Sequence, residues 1–183
     1  WPAMTAVHDE FGLSARHLTV STVGLVPGIR RLADRPLPVT LAVSLHAAHD
    51  DLRNTLIPMN RRYPIDELLD ACSHYVSQRK RRMSFEWAMI DDVNDSLEEA
   101  EALAELCHRL RPIAHVNLIP LNRTAGYEYQ GSRRTQIEKF QQVLTRRGVE
   151  ATIRRNRGND IDAACGQLAA ITPVTITKSG TQT

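Results

Sequence analysis

The chain has no apolar run long enough to cross a membrane, few aromatics (5%), only three cysteines and a net charge of just +2. Each scarcity removes a class. A membrane-spanning helix needs about 20 consecutive apolar residues. The opening residues Trp1, Pro2, Ala3 and Met4 have neither the basic nor the apolar part of a signal peptide, so a cytoplasmic protein with no membrane partner is expected. Cys72, Cys107 and Cys165 are odd in number and far apart, which argues against a disulfide framework and a CxxC-type metal site within the chain. No glycine-rich dinucleotide fingerprint follows any strand-like segment. The small net charge does not by itself announce a nucleic-acid binder.

What remains is enough for one globular unit: 183 residues, 42% hydrophobic and 24% charged. Charge is clustered. Arg79-Lys80-Arg81-Arg82, Arg133-Arg134, Arg146-Arg147 and Arg154-Arg155 with Arg157 are basic, whereas Asp91-Asp92, Asp95 and Glu98-Glu99 are acidic. Clustered arginine suits bidentate phosphate binding, and solvated helix ends give the same pattern.

Strand-like and helix-like segments alternate along the chain. Residues 1–14 read as a helix or a lead-in loop. The β-branched run from His17 to Val23 is bounded by Gly24 and predicts a buried strand, followed by a short helix around Ile29 to Leu32. A second strand covers Val39 to Leu45, and Asp50-Asp51 then start a helical connection that stops at Pro58. Pro64 opens an amphipathic helix to about Gln78. A strand from Met83 to Met89, a helix from Ser96 to Leu110, and a strand from Ala114 to Ile119 follow. A helix from Thr135 to Arg146, capped by Gly148, leads to an extended run over Ala151 to Arg154. Cys72 and Cys107 fall on helical periodicity as core-facing thiols.

Four strands with helical crossovers make an α/β chain with a parallel sheet, and a barrel or barrel fragment fits better than a doubly wound sheet. Function in a barrel gathers at the C-terminal strand ends. There the sequence has Ser21-Thr22, Ser44-Leu45-His46, Glu86 to Met89, and Asn117 to Asn122. Ser21, Ser44, His46 and Asn122 are able to converge on one ligand through hydrogen bonds, although each alone also reads as a cap, a turn or a structural histidine. The last candidate is Cys165. Gly158, Asn159 and Asp160 form a turn into a helix of small residues, leaving room beside the thiol for a large partner. The same residues also read as the apolar side of a packed helix, the usual place of a lone cysteine.

The segments His17-Leu-Thr-Val-Ser-Thr-Val-Gly-Leu-Val-Pro-Gly28, Leu41-Ala-Val-Ser-Leu-His-Ala47, Leu56-Ile-Pro-Met-Asn60, Glu86-Trp-Ala-Met-Ile-Asp-Asp-Val-Asn94, Asn117-Leu-Ile-Pro-Leu-Asn122 and Arg157 to Leu168 resemble a known family. It is the radical S-adenosylmethionine adenine-C2 methyltransferases of bacterial 23S ribosomal RNA and transfer RNA, matched in motif order and spacing from about residue 15 to residue 169.

The resemblance implies a partial parallel (βα)6 barrel, of which this chain supplies the later four βα units plus a C-terminal extension. Three regions are expected: a lead-in over 1–14, the barrel portion with the catalytic-cysteine segment over 15–170, and a tail over 171–183 that is polar, lacks the basic ending expected of the family, and reads as disordered or foreign sequence. By motif position, Ser21, Ser44, Leu45, His46 and Asn122 correspond to S-adenosylmethionine contacts, and Cys165 to the methyl-carrying cysteine. In the implied mechanism one S-adenosylmethionine methylates that thiol and a second is cleaved reductively at a [4Fe–4S] cluster. The resulting radical takes hydrogen from the S-methyl group, the methylene adds to adenine C2, and another cysteine releases the product as a disulfide. An electron donor such as flavodoxin is implied.

The departures are specific. The family's CxxxCxxC cluster motif, its Gly-Glu-Pro segment, the resolving cysteine and the N-terminal RNA-binding domain lie upstream of the matching region, and none occurs in these residues. The cluster ligands are therefore expected in a missing N-terminal portion of the same enzyme, and this chain alone is expected to be inactive. Three other readings stand: a methyltransferase acting at adenine C8, a noncatalytic RNA-binding remnant, and a cysteine hydrolase pairing Cys165 with His46 or His115.

Overall fold

Five parallel strands, β1 (Thr19–Thr22), β2 (Thr40–Ser44), β3 (Ser84–Met89), β4 (His115–Pro120) and β5 (Ala151–Ile153), pair strictly in chain order. The structure, a computed structural model, describes residues 1–122 and 129–154. Helix α1 (Pro2–Asp9) precedes the sheet, and the crossovers carry α2 (Val26–Ala33), α3 (Asp50–Leu56), α4 (Ile65–Arg79), α5 (Leu97–His108) and α6 (Arg134–Arg146). The expected order of strands and helices is present. The extended run after Gly148 proves to be a fifth strand, with Val116, Asn117 and Leu118 opposite Ala151, Thr152 and Ile153.

Local chemistry sets the element ends. Ser96 caps α5 by accepting the Glu99 N–H at 3.1 Å, with Glu98 and Glu99 in the first turn against the positive end of the helix. Pro64 stands just before α4, and Lys80 closes it in the left-handed conformation (φ 50). Gly148 (φ 74) ends α6, a backbone state that costs glycine nothing.

The core lies on one face of the sheet. Leu41, Val43 and Leu45 of the β2 run, Phe85, Trp87 and Met89 of β3, and Val116 and Leu118 of β4 are buried there. They share a cluster with Ile29, Leu68, Cys72, Leu103, Cys107 and Phe140 from the helices. Trp87 meets Phe140 at 5.7 Å between ring centroids in a tilted arrangement. Cys72 and Cys107 are both fully buried, as their periodicity predicts. Side chains alternate along a strand, so the opposite face takes the residues in between. Those are Thr19, Ser21, Thr40, Ala42, Ser44, Ser84, Glu86, Ala88, His115, Asn117 and Ile119. The aliphatics thus face the helices, and the other face is mostly polar.

Candidate active-site groove

The polar face forms a groove of about 880 Å³, within the usual size of a small-molecule site. The strand register orders its floor into rows. Ser21, Ala42, Ser84 and His115 form one, and Ser44, Glu86 and Asn117 the next toward the C-terminal strand ends. At the floor, Glu86 Oε1 accepts from Ser84 Oγ at 2.8 Å and Asn117 Nδ2 at 2.8 Å. These two neutral donors hold the carboxylate in place. They leave its other oxygen for a ligand.

His46 stands just past β2 with φ 60, a conformation that costs a side-chain-bearing residue about 1–2 kcal/mol. Its place is set by a local exchange of hydrogen bonds. The β2–β3 ladder continues through the Leu45 N–H, which donates to the Glu86 carbonyl at 3.1 Å. In a regular parallel ladder the Leu45 carbonyl would next accept the Ala88 N–H. Instead the Leu45 carbonyl accepts from Arg53 Nε at 3.0 Å, and the Ala88 N–H donates to His46 Nδ1 at 3.0 Å. With Nδ1 accepting, the neutral ring carries its proton on Nε2, the donor it has for a ligand. Burial, then the Arg53 charge, lowers the His46 pKa to about 4, so the ring is neutral at physiological pH.

Two buried side chains support this corner from behind. Arg53, fully buried on α3, donates from Nη2 to the carbonyls of Val23 (3.0 Å) and Ser44 (3.1 Å), and from Nη1 to Asn60 Oδ1 (2.7 Å). Burial lowers its pKa to about 10, opposed by Asp50, and it remains a cation at neutral pH. Asn60 in turn donates to Asp50 Oδ1 at 2.8 Å, and Asp50 accepts the Ile65 N–H at 2.9 Å, which joins the network to the start of α4. From the turn after β3, fully buried Asn94 donates to the His46 carbonyl at 2.8 Å. Glu99 on α5 accepts the Ala48 N–H at 3.0 Å and contacts His49 Nδ1 at 2.8 Å, pinning the loop beyond His46.

Of the residues singled out from sequence, Ser21, Ser44 and His46 line one groove. Leu45 packs into the core, is fully buried and does not line the groove. Asn122 lies two residues past β4, half-buried and outside the groove lining. Cys165 and the whole segment from Arg157 to Leu168 lie outside the described residues, as does the region 171–183. Glu86, Ser84 and Asn117 were not singled out individually, although the alternation Ser84-Phe85-Glu86-Trp87-Ala88-Met89 carries the signal. His115 opens β4 at the far end of the strand from His46 and shares a hydrogen bond with Thr152 Oγ1 at 3.1 Å. His46, with its pKa lowered to about 4 and its Nδ1 occupied, is not set up as a general base.

The groove fits an adenosyl amino acid in kind: hydroxyls at Ser21 and Ser44, an imidazole donor, a side-chain amide and a carboxylate complement ribose, carboxylate and amine groups. The described residues do not fit an iron–sulfur cluster. No group of three or more His, Cys, Asp or Glu among them is arranged to hold a metal. Burial raises the thiols of Cys72 and Cys107 to about 12, away from the thiolate a cluster requires. Among the described residues no helix is long and apolar enough to cross a membrane.

A parallel sheet in chain order, helices on one face and a polar groove on the other is the architecture of radical S-adenosylmethionine enzymes. A radical SAM methyltransferase from Sphaerobacter thermophilus matches with a TM-score of 0.83 and 53% identity over 88% of this chain and 47% of that one. A domain of pyruvate-formate lyase-activating enzyme from Bacteroides vulgatus shares the fold alone, with a TM-score of 0.61 and 19% identity. By sequence the chain is similar to part of the dual-specificity RNA methyltransferases. It is 57% identical over 166 residues to the probable dual-specificity RNA methyltransferase RlmN of Parafrankia sp. (strain EAN1pec), covering 91% of this chain and 43% of that protein. It is 51% identical over 170 residues to dual-specificity RNA methyltransferase RlmN 1 of Myxococcus xanthus (strain DK1622), covering 92% and 47%. The chain thus spans less than half the length of these relatives. No family model matches it.

Proposed function

We propose that the chain is the S-adenosylmethionine-binding and methyl-carrying part of an enzyme that methylates C2 of adenine in 23S ribosomal RNA and transfer RNA. The observation that supports this reading most is the groove itself, with Ser21, Ser44 and His46 brought to one polar face beside Glu86. In it Ser21 and Ser44 hold ligand hydroxyl or carboxylate groups, neutral His46 donates from Nε2, the Leu45 backbone lies alongside, and Glu86 accepts. Asn122 approaches from the β4 end. Residues 15–170 act as one barrel portion preceded by the lead-in 1–14, and 171–183 is a tail.

Cys165 carries the methyl group as a thioether, which a serine or alanine at that position is unable to replace. S-adenosylmethionine supplies the methyl group and, with a [4Fe–4S] cluster and an electron donor such as flavodoxin, the radical chemistry that an unactivated adenine carbon requires. The cluster ligands belong to an N-terminal portion of the same enzyme, and the site of action is the cytoplasm.

The test is direct binding. Isothermal titration of the chain with S-adenosylmethionine is expected to give a measurable affinity that Ser44→Ala and Glu86→Gln each weaken by about tenfold, the equivalent of one charge-assisted hydrogen bond. No binding, or binding indifferent to both changes, overturns the assignment of the groove. Mass analysis of RNA modified by the full-length enzyme separates C2 from C8. Unchanged modification after Cys165→Ala would favour the noncatalytic reading.

A further inference from the structure

We infer that Asn94, in the turn after β3, is a positioning residue for the groove: it fixes the backbone at His46 and so aims the imidazole at the ligand. This rests on the proposed role of His46. Asn94 follows β3 whereas His46 follows β2, and Asn94 is not itself among the groove-lining residues.

The geometry uses the whole side chain. Asn94 Nδ2 donates to the His46 carbonyl (2.8 Å) and to the Ala88 carbonyl (2.7 Å), and Oδ1 accepts the Ile90 N–H (2.8 Å). Its own carbonyl accepts from Trp87 Nε1 at 3.2 Å, anchoring the turn to the core. Two donors and one acceptor, all buried, are what an asparagine amide provides. Aspartate offers no donor, and alanine leaves three backbone groups unpartnered.

The consequence runs through His46. Its left-handed backbone is unfavourable and persists only if surrounding contacts over-determine it. The contacts are the Asn94 amide on its carbonyl and the Ala88 N–H on its ring, and Asn94 also grips the carbonyl of Ala88. One amide therefore registers both the peptide that bears the imidazole and the peptide that orients it. The charged group facing the ring is Arg53, and the Glu86 carbonyl lies beside it.

The test is a 15N titration of the His46 ring in the chain and in Asn94→Asp and Asn94→Ala, with Val143→Ala on α6 as a destabilised control remote from the site. Loss of the Asn94 donors is expected to release the ring, moving its titration midpoint from about 4 toward the ordinary 6.5, while the control stays near 4. S-adenosylmethionine affinity should fall tenfold or more in the Asn94 variants relative to the control. An unmoved midpoint, or an affinity equal to that of the control, overturns the inference. A shifted midpoint in a chain that never binds S-adenosylmethionine leaves the positioning intact and sinks the groove assignment instead. Should neither variant fold, the native chain decides: Asn94 side-chain amide protons protected from exchange support the inference, and exchange at the solvent rate overturns it.

Discussion

Arg53 offers the sharpest perturbation of the scaffold. Fully buried, it hydrogen-bonds the carbonyls of Val23, Ser44 and Leu45 and the side chain of Asn60, so one guanidinium joins the ends of β1 and β2 to the segment before α4. Replacement by methionine keeps most of the volume and removes every donor, leaving three backbone carbonyls and an amide oxygen in search of partners. At about 1 kcal/mol or somewhat more for each orphaned acceptor, the loss is about 4 kcal/mol. A domain with roughly 5–15 kcal/mol of stability is then close to unfolding. Lysine retains the charge, but its compact ammonium cannot span four acceptors, and an intermediate loss of about 2 kcal/mol is expected. Gly24 fits the same argument. A β-carbon there would lie 3.2 Å from Arg53 Nη2 at φ 107, so the guanidinium and the glycine require each other. Urea unfolding followed by tryptophan fluorescence reads the outcome, Trp87 being fully buried. If Arg53→Met unfolds within about 0.5 kcal/mol of the unaltered chain, the acceptors have found other partners and the network is not what holds the strand ends.

The remaining predictions concern protons and thiols. His46 has a folded pKa near 4 against 6.5 unfolded, so between those values the unfolded chain binds more protons and stability rises with pH. The contribution, of order 3 kcal/mol, is complete above pH 6.5 and lost as pH falls to 4; His46→Gln should flatten that limb, and an identical pH slope in the variant refutes the assignment. Cys72 and Cys107, buried with pKa raised to about 12, should resist alkylation at pH 8 until urea unfolds the chain. Labelling of either thiol at the rate of a free cysteine under native conditions contradicts this packing.

Secondary structure was legible wherever local chemistry acts alone. The β-branched run ending at Gly24, Ser96 with acids behind it, and Gly148 each announce an element end, and the structure ends elements there. Sidedness was harder to read. In Leu41-Ala42-Val43-Ser44-Leu45 the small residues pass for part of an apolar run, yet pairing sends Ala42 and Ser44 to the groove and the larger three to the core. Ser21, Ser44 and His46 could be found because strand ends of a parallel sheet converge. Arg53 and Asn94 could not, since an arginine in a helix and an asparagine in a turn look solvated until tertiary structure buries them against unpaired carbonyls.

The polar interior changes what an incomplete barrel should do in solution. Among the described residues no strand pairs with the outer edge of β1, which invites association, but the face behind that edge presents Thr19 and Ser21 rather than aliphatics. The hazard is therefore confined to backbone groups, and the ladder says which. Thr40 donates to the Leu18 carbonyl, so the parallel pattern commits the N–H groups of Val20 and Thr22 to β2 and leaves those of Thr19 and Ser21 on the open edge. Hydrogen exchange on the monomeric chain should alternate accordingly, slow at Val20 and Thr22 and fast at Thr19 and Ser21. Equal protection at all four in a monomer would mean that another segment closes the edge. Protection that rises with concentration would mean that a second copy does, and a free polar edge would then be no barrier to pairing.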